Sequence, residues 1–318
     1  LELDNRLKAK VFGQDEAVNQ LAETMIMARS GLNEPTKPLG SFVFAGPTGV
    51  GKTEITKVLA ETLGVPLVRF DMSEYMEQHS VSKLIGAPPG YVGHDDGGQL
   101  IEQVNKNPHC VLLLDEIEKA HPAVFNTLLQ VMDDGTLTDA QGRKANFRNV
   151  ILIMTTNAGA RSINKNNMGF ANENTVEIDR SEAINKLFSP EFRNRLDRVI
   201  QFKPLGPDEV VKIVNKNIKE LSTRLFDKEV SFAITNEAKI HLAENGYDPA
   251  MGARPLKRVI NEQIIKPLSR HLLGELRNGG QVMVNLKNNK INIEVKSLAN
   301  DLSETAAKKR KKTASPKP

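Results

Sequence analysis

The sequence predicts an α/β fold, a five-stranded parallel sheet followed by a small, mostly helical domain that carries a β-hairpin. Three observations lead there. Apolar runs at Ser41–Ala45, Leu67–Phe70, Val111–Leu114, Val150–Met154 and Val199–Phe202 read as buried strands, and helical stretches separate several of them. Strands divided by helices pair in parallel and are covered on both faces. At Pro204-Leu205-Gly206-Pro207 the pattern changes, and helical segments dominate to about residue 277. Beyond it, Val282, Val284 and Leu286 alternate before Asn288-Asn289, and Ile291, Ile293 and Val295 alternate after it. A period of two on both sides of a tight turn marks a hairpin. These boundaries give a large domain over 1–204, a small domain over 205–300 and a tail over 301–318.

Individual elements follow from spacing. Ala17, Val18, Leu21, Met25 and Ala28 recur at helical intervals after Gly13-Gln14-Asp15. Phe125, Leu128, Leu129 and Met132 mark a second amphipathic helix. Ser189-Pro190 combines a capping residue with a first-turn proline, a helix start that would turn Phe192 and Leu196 to the core. Pro255 suits the first turn of a helix carrying Leu256, Val259, Ile260 and Ile264.

Composition excludes several classes. The chain is 39% hydrophobic and 26% charged, an ordinary globular balance. One cysteine, Cys110, leaves no disulfide framework, and the six histidines show no metal-ligand spacing. Cys110 opens an apolar run, which predicts packing rather than reactivity. The longest apolar runs, Val111–Leu114 and Val150–Met154, fall far short of the roughly 20 residues of a membrane span. A reducing, cytoplasmic setting is expected. The chain opens on Leu1 with no signal-peptide pattern, which reads as a piece of a longer protein. The net charge of +4 resides in residues 301–318, so the rest of the chain sums to zero. That run reads as a disordered basic tail, and a neutral body argues against an electrostatic footprint on nucleic acid.

The strongest motif is Gly46-Pro47-Thr48-Gly49-Val50-Gly51-Lys52-Thr53, placed between the strand Ser41–Ala45 and the helical run Glu54–Leu63. Glycines let successive backbone N–H groups turn toward an anion, and the helix N-terminus adds its dipole. In this pattern Lys52 neutralises the β- and γ-phosphates of a nucleotide, and Thr53 offers its hydroxyl to Mg²⁺. Val111-Leu112-Leu113-Leu114-Asp115-Glu116 is a strand tipped by two carboxylates. Open parallel sheets bind ligands at that edge. Asp115 can hold Mg²⁺ through water, and Glu116 can polarise an attacking water. The strand Val150–Met154 runs into Thr155-Thr156-Asn157. Spacing leaves Asn157 two readings, a γ-phosphate contact or a strand-end turn residue.

Taken together these elements resemble the AAA+ ATPases, and longer strings narrow the resemblance to the Clp family of ATP-driven protein unfoldases. The strings are Val11-Phe12-Gly13-Gln14, the segment Phe70–Gly93, LLLDEIEKAHP, PEFRNRLD and GYDPAMGARPLKRVI. They cover the chain from Val11 to about Val295 and are closest to the second, C-terminal ATPase module of members with two such modules. The resemblance implies an AAA+ large domain binding ATP and Mg²⁺, and a ring homo-hexamer that threads unfolded or tagged proteins through its pore. It places Val11 and Phe12 against the adenine and makes Asn157 the first sensor. Spacing sets Arg193 and Arg195 on either side of the Phe192 face without choosing between them; the family string makes Arg195 the arginine finger. Arg254 falls at the second sensor.

Two loops complete the expectation. Gly90-Tyr91-Val92-Gly93 follows Ala87-Pro88-Pro89, and such crowding marks a loop. Its tyrosine either packs inward or grips extended polypeptide; the resemblance implies the pore loop, with Tyr91 gripping. Met168-Gly169-Phe170 is an apolar triplet in an asparagine-rich stretch, either a loop anchor or an exposed contact. The resemblance implies docking to a ClpP-type protease, against the alternative of a disaggregating chaperone, which lacks that loop.

Overall fold

The computed structural model describes residues 2–31, 34–86, 98–139, 141–159 and 181–297. The expectations placed on 90–93, 168–170 and 301–318 lie outside those residues. The chain divides into two units, Leu1–Pro204 and Leu205–Pro318.

The first unit is built on five parallel strands in the order β2-β3-β6-β1-β7. They are β1 Gly40–Ala45, β2 Leu67–Asp71, β3 Val111–Asp115, β6 Ile151–Thr156 and β7 Arg198–Gln201, at the five apolar runs of the sequence. Every residue of β1, β3 and β6 is buried, which is why these strands read as continuous apolar runs without alternation. The edge strands β2 and β7 are only partly covered. Because β6 lies between β3 and β1, the tips of the three buried strands are neighbours at one sheet edge. The register pairs Ala45 with Thr156 and Leu114 with Met154.

Helices cover the sheet. Asp15–Arg29 buries Ala17, Val18, Leu21, Ala22, Met25 and Ala28. Pro122–Asp134 starts at a His121 cap with Pro122 in the first turn and ends at Gly135 in the left-handed conformation. Phe125 of this helix meets Phe188 and Phe192 edge-on, while those two rings stack at 5.1 Å. That cluster seats the short helix Pro190–Arg193, whose Ser189 cap accepts from the Phe192 N–H at 3.1 Å. The helix is a single turn, so Leu196 follows it rather than riding on it, because the chain must enter β7 at Arg198. The antiparallel pair β4 Thr136–Thr138 and β5 Lys144–Asn146 was not legible in the sequence.

In the second unit, helices Pro207–Phe226, Asn236–Gly246, Leu256–Ile260 and Lys266–Leu273 accompany a three-stranded sheet, β10-β9-β8. The hairpin of β9 Gly280–Lys287 and β10 Lys290–Ser297 turns at Asn288 and Asn289, both at positive φ, 51° and 57°. Asparagine tolerates that region, and two such residues suit a tight hairpin. Val230–Ile234 is a strand, β8, inside the stretch expected to be helical, and it pairs in parallel with β9. Its partner lies about fifty residues downstream, so no local pattern announces it.

Candidate functional site

The loop after β1 is shaped by its glycines. Gly46 has φ 153°, and a Cβ there would stand 2.5 Å from the Phe202 carbonyl oxygen. Gly51, at φ 112°, leads into the helix Lys52–Leu63 from a conformation that side chains rarely adopt. The backbone N–H groups of Thr48, Gly49, Val50 and Gly51 find no protein acceptor among the described residues. Four successive unpaired donors at a helix N-terminus make an anion cradle. We expect Gly46→Ala to cost at least about 2 kcal/mol, because neither the backbone carbonyl nor the turn can give way. Urea unfolding of the two proteins measures it.

Lys52 starts that helix and is buried, 8% exposed. Its Nζ donates to the carbonyls of Gly46 at 2.6 Å and Pro47 at 2.7 Å, and to Asn157 Oδ1 at 2.9 Å. Burial pushes the ammonium down to about 8, against the pull of Glu118, Asp115 and Glu116. An ammonium so desolvated, with only neutral oxygens bonded to it, is a ready partner for a phosphate.

The carboxylates stand on the adjacent tip. Asp115 ends β3; its Oδ1 accepts from the Thr155 hydroxyl, and its Oδ2 takes Arg69 Nη2 at 2.7 Å and the Thr53 hydroxyl at 3.4 Å. Thr53 and Asp115 thus converge as two hard oxygens. Mg²⁺ commonly takes one or two protein oxygens and completes its shell with water and substrate phosphate, so the pair fits it. Among the described residues no group of three or more His, Cys, Asp or Glu side chains could hold a metal by itself. Glu116 sits at φ 58°, an uncommon conformation for a non-glycine residue. Its N–H donates to Thr155 Oγ1 at 3.0 Å, and its carboxylate is paired with Lys119. The reversal turns Glu116 away from the strand direction, so the two consecutive acids have different partners.

The other expected residues fall in separate surroundings. Val11 is buried, its Cγ1 3.5 Å from where a Gly51 Cβ would sit. Phe12 is half-buried beside it. Gln14 fixes this segment to the loop, donating to Val50 O at 3.2 Å and Lys203 O at 2.8 Å and accepting from Lys203 N at 3.0 Å. Arg195 holds Asp133 Oδ1 through Nε at 2.5 Å and Glu191 Oε1 through Nη2 at 3.1 Å. Arg254 is exposed just before the helix Leu256–Ile260, in the second unit. Cys110 is buried and its thiol is pushed up to about 11 by burial, consistent with a packing role. Three residues at the strand tips escaped the sequence reading: Arg69, Thr155 and Glu118. None belongs to the phosphate-loop pattern, and only the strand order brings them in.

Comparison with known proteins gives the family. An AAA domain (Cdc48 subfamily) matches residues 37–199, and the C-terminal D2-small domain of ClpB protein matches 205–284. A ClpA homolog protein of Fuscovulum blasticum is 56% identical over 295 residues, 92% of this chain and 37% of the relative. The chain belongs to the Clp family of AAA+ ATPases. Chaperone protein ClpB of Lactococcus lactis subsp. cremoris is 49% identical over 305 residues, 94% of this chain and 35% of the relative. Chaperone protein ClpB of Enterococcus faecalis is 49% identical over 302 residues, covering 92% and 34%. This Clp-family chain therefore spans little more than a third of the curated relatives it matches. No helix among its described residues is long and apolar enough to cross a membrane.

Proposed function

We propose that this Clp-family chain is the ATP-hydrolysing module of a protein unfoldase and translocase that delivers substrates to a ClpP-type protease. One observation carries the hydrolytic part: past three neighbouring strand tips, Lys52 bonds Asn157, Thr53 converges with Asp115, and Glu116 is tied by its backbone to Thr155, beside the row of N–H donors from Thr48 to Gly51. In this reading the cradle and Lys52 bind the β- and γ-phosphates of ATP, and Val11 and Phe12 flank the adenine. Thr53 and Asp115 hold Mg²⁺, which supplies charge neutralisation at the transferred phosphoryl group. Glu116 leaves Lys119 to take a proton from the attacking water, and the Asn157 amide orients it.

The family resemblance gives two arginines further roles. Arg195, held now by Asp133 and Glu191, reaches the ATP of a neighbouring copy in a homo-hexamer; such a finger contributes about 10³–10⁵ in rate. Arg254, in Gly252-Ala253-Arg254-Pro255, takes the second-sensor role that the family resemblance implies, a contact to the γ-phosphate of ATP. Tyr91, in Gly90-Tyr91-Val92-Gly93, grips extended, unfolded or tagged protein substrates in the ring pore through apolar contact indifferent to sequence.

Delivery to a protease is supported by Met168-Gly169-Phe170 and by the 56% identity to a ClpA homolog. The second reading, a disaggregating chaperone working without a protease, is favoured by the relatives named chaperone protein ClpB at 49% identity. Deleting Met168–Phe170 separates them. In degradation of a tagged folded substrate by a ClpP-type protease, we expect the deletion to lower the rate at least about tenfold while ATP turnover is kept, as for loss of an apolar anchor. Equal degradation with and without the triplet rejects delivery and leaves the chaperone reading.

A further inference from the structure

Glu118 lies outside the phosphate-loop motif, yet its carboxylate reaches the centre of the site. It belongs to the single turn Ile117–Lys119 after β3, where Lys119 is exposed and Ile117 is buried. That turn sends the Glu118 side chain back under the strand tips. Oε1 accepts the Asn157 backbone N–H at 3.1 Å. Oε2 is buried with no hydrogen-bond partner among the described residues, which is costly for an acceptor that can carry charge. Of the three carboxylates that act on the Lys52 ammonium, Glu118 acts most strongly.

These contacts form a relay. Glu118 holds the Asn157 backbone, and Asn157 Oδ1 accepts from Lys52 Nζ at 2.9 Å. With the amide oxygen committed to the ammonium, the Asn157 N–H₂ group is the part left to meet an anion. A free strand end would let that amide rotate. We infer that Glu118 is a positioning residue: by clamping the Asn157 backbone to the β3 tip, it fixes the Asn157 amide so that the site distinguishes ATP from ADP and aligns the attacking water. The inference rests on the proposed role of the site in ATP hydrolysis and adds the residue that sets its geometry.

The test compares Glu118→Ala with Glu118→Gln, whose amide oxygen can still accept the Asn157 N–H. Calorimetry gives ATP and ADP affinities, and steady-state assays give kcat. For Glu118→Ala we expect kcat and the ATP-over-ADP preference to fall about 10- to 100-fold with ADP affinity within about threefold, as for misplacement near a reacting group. Glu118→Gln should restore both to within about threefold, since the bond to the clamp is kept. In an Asn157→Ala background, Glu118→Ala should add nothing further. If the alanine variant does not fold, Glu118→Asp, too short to reach Asn157, replaces it with the same expected split. A wild-type profile in Glu118→Ala, a glutamine variant as defective as alanine, or parallel losses of ATP and ADP affinity would each overturn the inference. Failure of the wild-type chain to bind nucleotide at all would instead remove the underlying reading.

Discussion

Lys52→Thr is expected to weaken ATP binding by about 100-fold or more, the loss of two charge-assisted contacts to phosphate. The same change should leave the fold standing. In the nucleotide-free chain the ammonium titrates at about 8, against 10.5 ordinarily, because burial removes its water. Between those values the unfolded chain binds the extra proton and the folded chain does not. Stability therefore rises with pH across that window, and below pH 8 the buried charge costs about 3 kcal/mol. Threonine removes that cost while giving up three hydrogen bonds, so the melting midpoint at pH 7 should move by less than about 5 °C. Fluorescent-nucleotide titration and thermal melts check both halves. Unchanged affinity would dismiss the anion cradle, and with it the motor built upon it. A wild-type melting midpoint that stays flat from pH 8 to 10 would dismiss the buried-ammonium account.

Glu116→Gln should keep nucleotide affinity within about threefold and lower turnover by about 10²–10⁴, the usual worth of a positioned general base. The amide has the same length, and the backbone bond from the residue 116 N–H to Thr155 does not depend on the side chain. What is lost is the ability to accept a proton, together with the pairing to Lys119. Single-turnover hydrolysis beside equilibrium binding gives the separation. Turnover near the wild-type rate would remove Glu116 from its role and pass the base to another carboxylate.

Much of this was legible because its signals are local. The five strands announce themselves as apolar runs because three are covered on both faces and need no alternation. The glycine-rich loop after β1 is legible because its glycines answer a local backbone demand, as the φ of 112° at Gly51 shows. The hairpin is legible because Asn288 and Asn289 accept positive φ. What stayed hidden depends on partners distant in the chain. β8 is a strand because β9 runs beside it, and the five residues themselves carry no such message.

The sequence by itself determined the chemical inventory: a glycine-rich loop ending in Lys52-Thr53, a strand tipped by acids, and the arginines and aromatic residues to which the family resemblance assigns roles. Only the tertiary structure decided how those parts meet. Inserting β6 between β3 and β1 brings Thr155 onto Asp115, Asn157 onto Lys52 and Glu118 onto Asn157. Strand order is set by which apolar faces bury one another, a nonlocal balance that spacing along the chain does not record. The residues proposed to orient the chemistry are therefore less legible than those proposed to perform it.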